Sequence, residues 1–179
     1  MSDCKIAIVG TSGSGKTTLA RQMSQRLAVP HIELDALHWE PNWTEATIDV
    51  FRSRVKTALS GDAWVVDGNY SKIRPLVWSR ADTIVWLDYS FAIVMRQILQ
   101  RTIRRVVLQE DCCNGNRETF QKSFLSSDSV IVWAVQTYQK NRSQYATLFQ
   151  QPEFGHLKKV RLTSPKMAQR WLSEVSPHY

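Results

Sequence analysis

The segment that most limits what this chain can become is Gly10-Thr-Ser-Gly-Ser-Gly-Lys-Thr17, which fits G-x-x-x-x-G-K-[ST] at every fixed position. Glycines let the backbone turn so that successive N–H groups point inward and form an anion cradle at the start of a helix. The flanks agree with this. Residues 5–9 (Lys-Ile-Ala-Ile-Val) are a short strand-like run, and residues 17–28 carry Leu19, Met23 and Leu27 at a spacing of four, the period of a helix. A strand, a glycine loop and a helix in that order make a nucleoside triphosphate site. Lys16 is expected to reach the β- and γ-phosphates and the Thr17 hydroxyl to ligate Mg2+. Gly10, Thr11, Ser12, Gly13, Ser14, Gly15, Lys16 and Thr17 are therefore the expected ATP-binding residues.

Past the loop, strand-like and helix-like segments alternate. Residues 31–34, 63–66, 83–87 and 158–162 read as four more short strands. Helices are expected from a Thr44 cap through Ile48, Phe51, Val55 and Leu59, over about 90–109, through most of 117–149, and after Ser164-Pro165 with proline in the first turn. Pro41 and Asn42 break residues 39–43 into a loop. Five short apolar strands separated by helices predict a three-layer α/β fold around a parallel sheet. No Gly/Ser/Pro-rich linker interrupts residues 1–179, so one domain is expected, with a lid-like insert at about 106–120.

Composition adds two constraints. At 43% hydrophobic and 22% charged, the 179 residues have the make-up of a globular chain, which excludes wholesale disorder. The net charge of +7 asks for a polyanionic partner: nucleic acid, membrane surface or a phosphate-bearing small molecule. Residues 1–90 are neutral, with ten basic and ten acidic side chains; residues 91–179 hold thirteen and six, so the whole excess sits there. No run approaches the roughly 18 apolar residues of a membrane span, and the apolar run at 5–9 is too short for a signal peptide. Cys4, Cys112 and Cys113 form neither an even framework nor a spaced metal set, so reduced thiols in the cytoplasm are expected.

In a doubly wound sheet, ligands lie beyond the C-terminal ends of the strands. Asp35, Asp67 and Asp88 fall at such ends. Asp35 suits an acceptor hydroxyl, which it can orient or deprotonate, or Mg2+ held through water. Asp67, after Trp64-Val-Val66, has the pattern of a carboxylate serving Mg2+ beside a phosphate loop. Asp88, followed by Tyr89-Ser90 and a long helix, reads as a helix cap.

Residues 96–105 hold Arg96, Arg101, Arg104 and Arg105 with no acid among them, and the last three share a helix face. Such a cluster can close over a transferring phosphoryl group. Arg142 can add a charge from the far side of the lid. Lys158, Lys159, Arg161, Lys166 and Arg170 read as ordinary surface charge. Of seven tryptophans, Trp64, Trp86, Trp133 and Trp171 lie in apolar stretches and are expected in the core. Trp39 and Trp43 flank the loop after Asp35. They either shape a pocket there or pack as a lid over the neighbouring helix, and His38 beside them is a candidate acceptor contact.

Together, Gly10–Thr17, Leu34-Asp-Ala-Leu-His-Trp-Glu-Pro-Asn-Trp43, Trp64-Val-Val-Asp-Gly-Asn-Tyr70, Ala81-Asp-Thr-Ile-Val-Trp-Leu-Asp88 and Arg101 to Arg105 resemble the bacterial P-loop proteins described as adenylate-kinase-related or topology modulation proteins. The resemblance runs over most of the first two-thirds of the chain. It implies a nucleoside-monophosphate-kinase-like fold with sheet order 2-3-1-4-5 and a short arginine-bearing lid. It further implies that Asp67-Gly68 lies near Mg2+ and acceptor, and that Arg101, Arg105 and Arg142 contact phosphates. Adenylate kinases follow the Asp-Gly pair with a Phe-Pro-Arg type run, whereas this chain has Asn69-Tyr-Ser-Lys-Ile-Arg74, where the resemblance offers Arg74 in place of that arginine. Cys112-Cys113 cannot supply a four-ligand zinc lid. The Asp35-Ala-Leu-His38 run is also similar to gluconate- and shikimate-type kinases, where the aspartate faces the acceptor hydroxyl.

The expectation is an ATP- and Mg2+-dependent phosphotransferase acting on a nucleotide or a small hydroxyl acceptor. Lys16, Asp35, Arg101, Arg105 and Arg142 would be catalytic, Thr17 and Asp67 would hold the metal, and Asp35, His38, Trp39, Trp43, Asp67, Asn69 and Arg74 would bind the acceptor. The alternatives are a small-metabolite kinase and a nucleotide-responsive DNA-binding protein. The second has no helix-turn-helix, zinc module or basic tail in its favour.

Overall fold

The computed structural model describes residues 4–108 and 130–175, apart from the side chains of 105–108 and 130. Of the expected insert, residues 109–120 lie outside the described residues, and so do Cys112 and Cys113. The chain runs β1 (Lys5–Gly10), α1 (Lys16–Leu27), β2 (His31–Glu33), α2 (Leu34–His38), β3 (Trp39–Glu40), β4 (Thr44–Glu45) and α3 (Ile48–Ala58). It continues through β5 (Trp64–Asp67), α4 (Arg74–Trp78), β6 (Thr83–Leu87), α5 (Phe91–Leu108), α6 (Val130–Leu148), β7 (Lys158–Leu162) and α7 (Pro165–Glu174).

Five of these strands form one sheet in the order β2-β5-β1-β6-β7, with every neighbouring pair parallel. Counted along the chain, the sheet strands stand 2-3-1-4-5, as expected. A strand turns alternate side chains to opposite faces, and this sorts the apolar residues into two cores. Ala7, Val9, Trp64, Val66, Ile84 and Trp86 enter one; Ile6, Ile8, Val65, Val85 and Leu87 enter the other. Phe51 and Val55 of α3 and Val77 and Trp78 of α4 cover the first face. Leu19, Ala20 and Met23 of α1, Val94 and Ile98 of α5 and Ala168 of α7 cover the second. Helix α6 serves both, giving Tyr145 to one core and Ala134 and Tyr138 to the other. Among the described residues no helix is long and apolar enough to cross a membrane.

Three local expectations change. Residues 39–45 are a small antiparallel hairpin, pairing Trp39 with Glu45 and Glu40 with Thr44 around a single 3-10 turn at Pro41–Trp43. Thr44 is thereby used in a strand, and Thr47 caps α3 instead, its hydroxyl accepting from the Val50 N–H at 3.5 Å. Trp133 is 60% exposed rather than core. The buried face of α6 is set by Ala134, Tyr138 and Tyr145, at helical spacings of four and seven, and Trp133 lies one residue off that stripe. Trp64 and Trp86 are buried, and half-buried Trp171 packs on the second core.

Candidate functional site

Strands β1 and β6 are neighbours whose following connections leave in opposite directions, which opens a crevice at their C-terminal ends. Residues 10–17 occupy it. Gly13 and Gly15 hold φ of 77° and 87°, in the left-handed region that a side chain resists. A Cβ on Gly13 would stand 2.0 Å from Cγ1 of Ile98, so the loop rests directly on α5. A Cβ on Gly15 would meet nothing within 4 Å, which leaves that side of the loop open. Gly15 caps α1 without a side-chain hydrogen bond, and the first-turn N–H groups of the helix stay available to an anion.

Lys16 lies along this loop, its Nζ donating to the Thr11 carbonyl at 2.9 Å. Burial pulls its pKa below the ordinary lysine range, Asp35 and Asp67 draw it back up, and Arg101 pushes it down again. The ammonium is thus within electrostatic reach of both expected carboxylates and of one expected arginine. Thr17 donates its hydroxyl proton to Oδ2 of Asp67 at 2.8 Å. That leaves the Thr17 oxygen lone pairs free to face the cavity, the arrangement a hard cation needs. Asp67 is 3% exposed and stands behind Thr17 at the end of β5. Its other oxygen, Oδ1, meets Nε2 of His31 at 2.7 Å. Nothing in the sequence marks His31 as part of the site, because its partner is 36 residues away on another strand.

A cavity of about 780 Å3 opens in front of the loop, bordered by residues 12–19, Glu33, Asp35, Arg101, Arg104 and the start of α7. The volume suits a nucleotide-sized ligand. Its charged lining is Lys16, Arg21, Arg101 and Arg104 against Glu33 and Asp35, an excess of positive charge. Arg101 and Arg104 lie one turn apart on α5, three and six residues beyond the Ile98 that contacts Gly13, so loop and arginines are positioned by one helix. The side chain of Arg105 lies outside the described residues. Among the described residues no cluster of three or more His, Cys, Asp or Glu side chains could hold a metal. A divalent cation at Thr17 would therefore draw most of its ligands from phosphate and water, as Mg2+ does in phosphoryl-transfer sites. The residues present fit Mg2+ on those terms.

No family model and no curated protein matches the chain. Solved structures do. A gluconokinase from Sinorhizobium meliloti 1021 superposes with a TM-score of 0.53 at 17% identity, covering 96% of this chain and 93% of that one. A sugar kinase from Janibacter sp. HTCC2649 superposes with a TM-score of 0.53 at 15% identity, covering 96% and 95%. The chain has their three-layer α/β P-loop fold around a five-stranded parallel sheet.

Within that fold, the residues expected on the acceptor side divide into three groups. Asp35 borders the large cavity, and Oδ1 accepts the Tyr70 hydroxyl proton at 2.8 Å. Asn69 accepts the Tyr145 hydroxyl proton. The Arg74 guanidinium lies 5.6 Å from the ring centroids of both Trp78 and Tyr145, and its Nη2 donates to Oε1 of Gln144 at 3.4 Å. Asp67, Asn69, Tyr70, Arg74 and Tyr145 surround a separate space of about 20 Å3, the size of one water. His38, Trp39 and Trp43 form the third group and do not border the large cavity. The His38 ring packs on Trp39, Phe51 and Tyr70 at 4.7–5.0 Å, and Trp39 meets Trp43 edge-on at 5.7 Å. Trp39 and Trp43 thus pack on one another, and Trp39 on His38, whose ring in turn rests on Phe51 of α3.

Asp88 is not the helix cap expected. It lies three residues ahead of α5, is 5% exposed, and is held by two arginines from distant elements. Nε of Arg142 on α6 is 2.8 Å from Oδ1, and Nη2 of Arg161 on β7 is 2.5 Å from Oδ2. Arg161, expected as surface charge, also lies 4.9 Å over the Trp86 ring. Parallel pairing of β7 with β6 puts Arg161 opposite Trp86 and so two residues back from Asp88, a register invisible in the sequence. Arg142 is 44% exposed and shares a space of about 10 Å3 with Thr11 of the glycine loop and Asp88, which sets it beside that loop.

Proposed function

We propose that the protein is an ATP- and Mg2+-dependent phosphotransferase that phosphorylates a hydroxyl group of a small, anionic metabolite, acting in the cytoplasm where ATP is available. The observation that carries the reading is the convergence on one cavity of the glycine loop with Lys16 and Thr17, the Arg101–Arg104 face of α5, and Asp35. Residues 10–17 would bind the phosphates through backbone N–H groups, and Lys16 would neutralise charge on the β- and γ-oxygens. Thr17, oriented by Asp67, would hold Mg2+, which would supply neutralisation of the phosphate charge. Arg101 and Arg104 would stabilise negative charge on the transferring group, Arg142 would join them from beside the loop, and Arg105 keeps the same role on the strength of the sequence. Asp35, fixed by Tyr70, would accept the proton of the acceptor hydroxyl. Most of the rate enhancement would come from positioning and electrostatics.

Gluconokinase and sugar kinase structures among the neighbours support the sugar-acid class as acceptor. A nucleoside monophosphate is the second reading. The observation in its favour is Arg74, a cation held between two aromatic rings beside Asp67–Tyr70, where it could meet an acceptor phosphate. The test of the shared claim is Lys16→Ala. It should lose at least a hundredfold in ATP turnover while its melting temperature stays near that of the unaltered chain, since Lys16 has a loop carbonyl and solvent-facing cavity around it rather than core. Undiminished turnover in Lys16→Ala would remove the assignment.

A further inference from the structure

We infer that His31 is a positioning residue for the metal site, acting through Asp67 on the Thr17 hydroxyl. The inference rests on the reading of Thr17 as the Mg2+ ligand and extends it to a residue that never touches nucleotide.

Strand β2 pairs with β5 in parallel register, His31 opposite Val65 and Glu33 opposite Asp67. His31 therefore sits two residues behind Asp67 along the neighbouring strand, on the same face by the two-residue period. Its imidazole is long enough to reach forward to Oδ1 of Asp67 at 2.7 Å. A carboxylate only accepts, so the hydrogen bond assigns the proton to Nε2. The result is a chain of three groups, His31 Nε2–H to Asp67 Oδ1 and Thr17 Oγ1–H to Asp67 Oδ2, with the Thr17 lone pairs left toward the cavity.

Each member limits the next. Thr17 has one hydroxyl proton, and only while Asp67 holds it do both lone pairs remain free for a cation. Asp67 can hold it only while its carboxylate plane is fixed, because rotation about the Cβ–Cγ bond carries Oδ2 away. His31 supplies the second point of attachment that fixes that plane. Because among the described residues no cluster of three or more His, Cys, Asp or Glu side chains could hold a metal, the orientation of this one hydroxyl is a large part of what those residues offer it. Partners that orient a metal ligand from behind typically change metal affinity or activity by about 10–100-fold when removed. A His31 that did no more than neutralise a buried carboxylate would affect stability and leave metal dependence alone.

The test uses the full chain and a non-hydrolysable ATP analogue, with binding followed by titration calorimetry at a series of Mg2+ concentrations and also in excess chelator. The expected result for His31→Ala is a Mg2+ concentration for half-maximal enhancement raised about tenfold or more, with metal-free binding unchanged within about twofold. His31→Gln, whose amide N–H reaches a similar point, should recover most of the loss. A His31→Ala chain with the unaltered Mg2+ dependence overturns the inference, as does a His31→Gln chain no better than His31→Ala. Should the unaltered chain bind the analogue with no Mg2+ enhancement at all, the reading of Thr17 as metal ligand falls first, and the inference falls with it.

Discussion

Gly13 offers the sharpest handle on how the loop is built. A methyl group there meets two obstacles at once. Its backbone φ of 77° costs an L-residue about 1–2 kcal/mol. Its Cβ would also fall 2.0 Å from Cγ1 and 2.7 Å from Cδ1 of Ile98, a buried side chain of the second core. Overpacking of this kind typically costs about 1–3 kcal/mol. Gly13→Ala should therefore destabilise by about 2–5 kcal/mol in urea unfolding, which for a chain of this size lowers the melting temperature by roughly 4–20 °C. The two obstacles separate in a double-mutant cycle. Ile98→Ala alone should cost about 2–5 kcal/mol from the cavity it leaves. Combined with Gly13→Ala, the new methyl enters that cavity, so the double variant should be less destabilised than the sum by about 1–3 kcal/mol. The strain at φ stays in both backgrounds and does not enter the coupling. A Gly13→Ala chain within about 0.5 kcal/mol of the original, or a cycle that adds without coupling, would show that α5 does not carry the loop as described.

Two further results follow from the buried groups. Arg142→Ala and Arg161→Ala should each cost about 1–2 kcal/mol in urea unfolding, and the double variant more than their sum, because the Asp88 side chain, 2% exposed, then loses its last cation. In alkali, burial pushes the Tyr145 phenol from 10.0 up to about 12, and its proton is the one given to Asn69. The raised value means the unfolded chain loses this proton first. Tyr145 therefore contributes stability that is complete below pH 10.0 and drains away as pH climbs toward about 12, and Tyr145→Phe should flatten that part of the pH–stability curve.

The nucleotide side of the site was legible in the sequence because its signals are local. Glycines at fixed spacing, a strand before and a helix after carry the loop, and the short apolar runs of residues 5–9, 63–66 and 83–87 carry the sheet. What the sequence hid is set by register between distant strands. His31 reaches Asp67 only because β2 pairs with β5 so that His31 stands two residues behind it, and Arg161 reaches Asp88 only because β7 aligns with β6. Trp133 misled because an apolar stretch on a helix is buried by face and not by neighbourhood, and Ala134 holds the inward position. The charge excess has the same lesson. Arg142 and Arg161 pair with Asp88, and Arg101 and Arg104 border the large cavity, so part of what reads as a basic half is engaged within the fold.

The central claim is transfer of a phosphoryl group, and the most direct measurement follows the γ-phosphate itself. The protein is incubated with Mg2+ and ATP labelled at the γ-position, together with separate panels of sugar acids and nucleoside monophosphates. Label should appear on a hydroxyl of a sugar acid, or on a monophosphate under the second reading, and its appearance should vanish in Lys16→Ala. Label found only as inorganic phosphate, or retained on ATP with every acceptor of both panels, would contradict the account.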